Sequence, residues 1–376
     1  MAKVIITVTC DWDGLDYPLH EPHNPTGNLH FRFDRGVQAI EYFNNIFQNE
    51  IPLTHFICPV YFTRSKFLSE YYSCAIAQLL QNSNCEIALH IHGWISLMHA
   101  CGVLPKDPVK DPTLPDWGVQ EKDRYGLCVP YRNDDGEEMI DYGHGVPLGI
   151  YSQDEIARIL ERGRALFVEH KIIASGHDCV SFRCGGWMAN DAVLRALQMV
   201  VPPFQYEASA VDASFFANGN SILHDWLARL WGARPQSEQS FLSNSLFLSA
   251  YPQGINIASQ ANGVSVAQPR MIERLLELPD TAILADYVSA DYMKEQISRA
   301  LTAASQQTSD VYVSLGFHLE SGGDPRFGNV YGHIEKVIET LKYVEQQDAK
   351  QGRIQYFAIA EAGKRFLQSC DSNINQ

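Results

Sequence analysis

The chain has 376 residues and a mass of 42.3 kDa, longer than a small domain yet short enough for one elaborated α/β unit. Its 29 basic against 44 acidic residues give a formal net charge of −15, which argues against a main task of neutralising nucleic-acid phosphates or docking on an anionic membrane. Apolar residues at 45% and charged ones at 19% exclude a disordered chain, and no apolar run reaches the roughly 18–20 residues of a membrane span.

Short β-branched or aromatic runs alternate with amphipathic stretches, which predicts parallel strands joined by helical crossovers. The first strand is Val4–Cys10. Lys3 before that apolar run could suggest an export signal, but the run ends on Asp11 and Asp13 with no small-residue cleavage pattern. A buried strand is the better reading. There follow a helix at Gly36–Gln48, a strand at Thr54–Val60, a helix at Thr63–Gln81 and a strand at Glu86–His92. Ser152–His170 reads as a helix with an apolar stripe at Ile156, Ile159, Leu160 and Leu166. The strand Cys179–Cys184, the helix Ala192–Met199 and the strand Phe204–Glu207 come next. Beyond them lie a helix at Gln268–Leu276, a strand at Ala282–Tyr287, a helix at Ala290–Gln306 and a strand at Val311–His318. A helix at His333–Gln347 and a strand at Ile354–Ile359, leading into a last helix, complete the set. About seven or eight such units predict one α/β barrel domain over residues 1–376, closed or slightly open.

Residues 103–150 and 208–262 break the rhythm with Pro, Gly, Asp, Ser, Asn and Gln. Both follow predicted strands, so both emerge at the C-terminal face of the barrel, where such folds place their chemistry. We read them as loop insertions that wall or cover a cleft. Nine cysteines, odd in number and without a C-x-x-C pair, read as reduced core residues and point to the cytoplasm.

Four clusters end predicted strands. In Cys10-Asp11-Trp12-Asp13-Gly14 two carboxylates spaced two apart share a face if the strand continues, and the glycine permits a turn. An Asp-Gly turn with a capping aspartate is the plain structural alternative. Glu86–Trp94 carries His90 and His92, which project to one face of a strand and could grip one metal ion, with Asp13 as an oxygen ligand. Arg183, in Ser181–Trp187, ends a buried strand and needs a carboxylate partner, for which Asp11 is the obvious choice. His318, in the cluster Leu315–Glu320, ends the strand-like run Val311–His318 and could be catalytic or merely structural.

In that order the four clusters resemble the polysaccharide deacetylase family, carbohydrate esterase family 4 or the NodB-homology domain. Asp11-Trp12-Asp13-Gly14 is similar to its first motif, Glu86–His90 to the lead-in of its histidine motif, Phe182–Trp187 to its arginine motif and Phe317-His318 to its late histidine motif. Ile354–Phe366, including Glu361, is similar to the family's closing strand and helix. The resemblance implies a distorted (β/α)7–8 barrel and a metal-dependent hydrolase that removes an N-acetyl group from a sugar or polysaccharide precursor. It implies Asp11 as general base, Arg183 as its tether and His318 as general acid. The metal, most plausibly Zn2+, falls to Asp13 and His90.

The family spaces its histidines four apart, whereas this chain has Trp94 at that position. The further ligand is then His92, favoured, or His99. The carboxylate orienting the late histidine has no clear match; Glu207, Asp212 and Asp225 are candidates, Glu207 in the better strand context. Trp12, Trp94 and Trp187 flank the motifs, and we place Trp94 and Trp187, with Glu207, on the substrate side. His20 and His23 could also enter the cleft. Two other readings remain: an amidohydrolase-like metal enzyme, and a non-catalytic carbohydrate-binding protein on the same scaffold. A cytoplasmic setting would favour a nucleotide-linked or lipid-linked precursor, or a short oligosaccharide, with no role for nucleic acid or membrane insertion.

Overall fold

All nine residues of β1 (Val4–Trp12) are buried, and that strand is the axis of the fold. The computed structural model describes residues 2–16, 22–81, 83–106, 128–211, 267–348 and 351–374. The remaining strands are β2 (Leu53–Ile57), β3 (Cys85–Ile91), β4 (Val129–Arg132), β5 (Glu138–Asp141), β6 (Ser181–Cys184), β7 (Tyr206–Glu207), β8 (Arg270–Ile272), β9 (Leu275–Glu277), β10 (Val311–His318) and β11 (Ile354–Tyr356). The main sheet runs β10-β1-β2-β3-β6-β7-β9-β8, with β11 also paired to β1. Its pairings are parallel except β8 with β9. A parallel strand covered on both faces needs apolar residues on both sides, hence the run Val4–Val8, broken only by Thr7.

The sheet curls into a half-barrel. Segment 282–285 runs beside β10, with Ala282 N–H donating to Ser314 O at 2.8 Å and Ala285 N–H to Gly316 O at 2.7 Å. This is the strand expected at Ala282–Tyr287. It reaches only a single bridge, Leu284 to Gly316, because Ile283 takes a φ of +63° and interrupts the extended run. The helix expected at Gln268–Leu276 is instead the β8–β9 hairpin. Its paired apolar residues, Met271 and Ile272 then Leu275 and Leu276, suit either period, and Glu273 at φ +55° turns the chain.

Helices form where periodicity and caps agree. The helix Gln153–Glu169 opens with a Ser152–Glu155 capping box, and Ile156, Ile159, Leu160 and Leu166 are all buried. Asn190 and Ser289 cap Asp191–Met199 and Ala290–Ser305 with a single side-chain acceptor each, from Val193 N–H and Tyr292 N–H. The last helix, Ile359–Ile374, has its first amides held from inside the sheet: Ile359 N–H donates to Thr54 Oγ1 and Ala360 N–H to Glu86 Oε2. Glu86 therefore serves the closing helix from the head of β3. No helix of the described residues is long and apolar enough to cross a membrane.

Within the insertion expected at 103–150, β4 and β5 form an antiparallel hairpin, and residues 107–127 lie outside the described residues. The insertion expected at 208–262 falls outside them from residue 212 onward.

Candidate metal and catalytic centre

Parallel register brings the ends of β10, β1, β3 and β6 to one edge, where Asp11 pairs with His318 and His90 with Arg183. Past the end of β1 the chain turns at Gly14, φ +79°. A Cβ there would stand 2.2 Å from Val60 Cγ1, so only glycine fits. The turn is pinned on every side. Gly14 N–H donates to Glu320 Oε1 at 2.9 Å, Gly14 O accepts from Arg64 Nη2 at 2.7 Å, and Asp13 O accepts from Trp94 Nε1 at 2.8 Å.

This fixes the Asp13 carboxylate, only 3% exposed, among four histidines. His90 Nε2 lies 3.1 Å and His92 Nε2 3.4 Å from Oδ1; His144 Nε2 lies 3.0 Å and His318 Nε2 3.5 Å from Oδ2. Burial alone would raise the Asp13 carboxyl, but the charge on His318 and the hydrogen bond from His144 hold it well below the usual carboxylate range.

The donor set has a specific demand. His90 Nδ1 is 2.9 Å from Arg183 O, and His92 Nδ1 is 2.7 Å from His144 O. Carbonyls only accept, so a neutral ring at either position carries its proton on Nδ1 and a lone pair on Nε2. Both lone pairs then face an anionic oxygen in a buried pocket. Protonating both rings instead would crowd two buried imidazoliums, centroids 4.8 Å apart, onto one carboxylate. A divalent cation satisfies the set without either cost. Among the described residues Asp13, His90 and His92 form the group whose ligand atoms lie within 4.8 Å of one another, and imidazole with carboxylate suits zinc.

Two ion pairs flank this group. Asp11 Oδ1 accepts from Arg183 Nη1 at 2.8 Å, and both side chains are buried. Arg183 is further held by Thr9 Oγ1 and Ala208 O, its guanidinium lies over the Phe56 ring, and Asp280 stands 3.6 Å from Nη2. Burial would lower the Arg183 pKa, but Asp11 and Asp280 raise it beyond its ordinary value. Burial pushes Asp280 up to about 6 even against Arg183. On the other flank His318 Nδ1 meets Asp286 Oδ2 at 3.2 Å, and Ser321 Oγ bonds the other oxygen of Asp286. Burial opposes charge on His318, yet Asp286 and Asp13 lift it to about 10. The small cleft between the flanks is also lined by Gly186, Trp187, Leu284 and Tyr287.

Asp11, Asp13, His90, His92, Arg183 and His318 are thus brought together, with Trp187 on the wall. Others expected near the chemistry lie apart. Trp94 is fully buried and faces no cleft; its indole instead clamps the Asp13 turn. Glu207 is fully buried beneath Arg183 and bonded to Ser209, and burial raises its carboxyl, so it neither reaches a substrate nor orients His318. His99 is exposed on the helix Ile95–Ala100, and His23 is exposed. His20, Asp212 and Asp225 lie outside the described residues.

Two residues were not foreseen. Asp286 sits where a carboxylate ends the expected strand Ala282–Tyr287, the same signal that marks Arg183 and His318. His144 lies between two glycines in the expected 103–150 insertion, a context that signals only a loop.

No family model matches the sequence, and no curated protein matches it. The fold does have solved counterparts. A Mycobacterium smegmatis protein assigned to the polysaccharide deacetylases superposes with a TM-score of 0.50 at 12% identity, over 98% of this chain and 91% of that one. A 4-alpha-glucanotransferase from Thermococcus litoralis gives 0.42 at 10% identity, over 96% of this chain and 40% of that one. The Xyl-CE4 domain of a multidomain xylanase from the hindgut metagenome of Trinervitermes trinervoides gives 0.37 at 8% identity, over 97% and 91%. At these identities the likeness concerns the fold, and only the first is close enough to argue from.

Proposed function

We propose that this chain is a metal-dependent hydrolase that removes an N-acetyl group from a sugar or polysaccharide precursor, on a distorted barrel of the deacetylase type spanning the whole chain. The observation that carries the proposal is the convergence of two lone-pair-bearing imidazoles on Asp13, flanked by the Asp11–Arg183 and His318–Asp286 pairs. The order of the sequence motifs and the deacetylase-like fold of the Mycobacterium smegmatis protein support the same reading.

Asp13, His90 and His92 would hold the divalent cation, zinc foremost. Bound there, it supplies Lewis-acid activation of an amide carbonyl and of water. Asp11 is the general base that takes the proton from the attacking water. Arg183 tethers that carboxylate through its Oδ1, leaving Oδ2 for the water. His318 is the general acid: Asp286 holds Nδ1, so Nε2 faces the cleft to protonate the departing amine nitrogen, which leaves poorly as an anion. Trp187 and Tyr287, with ring centroids 5.8 Å apart, form an aromatic wall for the sugar or the acyl group. The nine free thiols suit a reducing compartment and hence a cytoplasmic precursor.

The test is acetate release from N-acetylated sugars and surface-polysaccharide precursors by the zinc-loaded protein. Release that vanishes on chelation and returns with metal is expected. Stoichiometric metal with no release across the panel would reject the deacetylase reading in favour of another metal-dependent hydrolase. No bound metal, with sugar affinity unchanged in His90→Ala, would favour a binding protein.

A further inference from the structure

His144 resembles its three neighbours in facing Asp13, but differs from His90 and His92 in what its other nitrogen does. Those two must carry the proton on Nδ1, because carbonyls receive it. Nδ1 of His144 is buried and has no hydrogen-bond partner among the described residues. A buried N–H without an acceptor is more costly than an unused lone pair on a neutral ring, so the proton belongs on Nε2, which points at Asp13 Oδ2 from 3.0 Å. His144 therefore donates to the carboxylate, whereas His90 and His92 present lone pairs to it.

The segment carrying His144 is built for this placement. Gly143 has a φ of +102°, and a Cβ on it would meet Gly93 O at 2.3 Å; a Cβ on Gly93 would meet Val146 Cβ at 2.8 Å. The two stretches lie backbone against backbone, tied by Ile95 N–H to Tyr142 O at 2.9 Å. Asp141 anchors the approach by accepting from Arg64 Nε and Ser96 N–H. The His144 ring then stacks on His92, centroids 3.8 Å apart and planes within 16°. An imidazole lone pair lies in its ring plane, and two stacked, nearly parallel planes do not converge on one ion, which again separates His144 from the ligand set.

We propose that His144 is a positioning residue of the metal site, whose Nε2–H holds Asp13 Oδ2 so that Oδ1 alone is offered to the cation, while its own carbonyl fixes the tautomer of His92. This rests on the metal site proposed above. Outer-shell partners of this kind change metal affinity by about 10–100-fold.

The experiment uses the full-length protein, stripped of metal and titrated with Zn2+ against a chromophoric chelator, and with Co2+ followed by its visible absorption. His144→Ala should weaken Zn2+ by about 10–100-fold while leaving the number of nitrogen ligands in the Co2+ spectrum unchanged. His144→Gln, which keeps an N–H donor, should recover most of the affinity. Should His144→Ala fail to fold, by circular dichroism, His144→Gln against His144→Met makes the same comparison. Unaltered affinity in the variant lacking the donor, or a Co2+ spectrum that loses a nitrogen ligand, overturns the proposal. Wild-type binding without acetate release rejects the deacetylase reading and leaves this one standing. Absence of any metal binding by the wild type rejects both.

Discussion

Two clusters of buried titratable side chains share this sheet, and they solve the same problem oppositely. Beneath Arg183, Glu207, Glu277 and Asp280 gather around one guanidinium and nearby backbone amides. Glu277 is pushed far above its usual range by burial and by Glu207, and accepts from Ala210 N–H. Asp280 leans on Arg183. At the mouth, Asp13 faces the Nε2 atoms of His90 and His92, whose protons are committed to backbone carbonyls. The first cluster leans on a guanidinium of its own chain; the second presents ligand atoms that a cation from outside would satisfy. A count of charged groups cannot separate the two. The direction in which each donor is already spent does.

The largest effect should come from Asp13→Ala, which removes the carboxylate common to the histidines; stoichiometric metal binding and acetate release should both disappear, read by elemental analysis and assay. Asp11→Asn should lower turnover by roughly 10²–10⁴-fold with metal retained, the usual contribution of a general base. If metal is lost as well, Asp11 belongs to the cation rather than to Arg183. Asp286→Asn should reduce turnover by roughly 10–100-fold with metal content intact, by loosening His318.

Stability experiments sharpen the contrast away from the metal. His55 in β2 accepts from Trp12 Nε1 at 3.2 Å, and burial lowers it from 6.5 to about 3. The unfolded chain therefore takes up a proton before the folded one. Stability linked to this residue is present above pH 6.5 and is lost as pH falls toward 3, by about 1.4 kcal/mol per pH unit. His55→Asn should flatten that dependence in chemical denaturation. The smallest change is expected for Glu277→Gln, less than about 1 kcal/mol, because burial and Glu207 already push this carboxyl toward its uncharged form, which the amide mimics. Glu277→Leu, which orphans Ala210 N–H, should cost about 1–3 kcal/mol. A large loss in Glu277→Gln would show that the inner cluster depends on charge after all.

Strand ends were readable because a parallel strand announces itself by unbroken apolar residues and stops where a polar one appears. That signal found Asp11, His90, Arg183 and His318 within residues that are contiguous to their strands. It misjudged Gln268–Leu276, where apolar pairs suit a hairpin as well as a helix, and it read Trp94 as a substrate contact when the indole binds the Asp13 carbonyl. Asp286 was passed over although a strand-like run preceded it, because nothing local distinguishes its carboxylate from Glu207.

The sequence by itself determined the periodic elements, the caps and the chemistry waiting at each strand end, since these depend on neighbours within a few positions. Only the tertiary structure decided which nitrogen of each histidine is free, that His144 joins from 52 residues beyond His92, and that Glu207 turns inward. Those outcomes depend on carbonyls and carboxylates distant along the chain, and a hydrogen bond between remote groups leaves no mark in local composition.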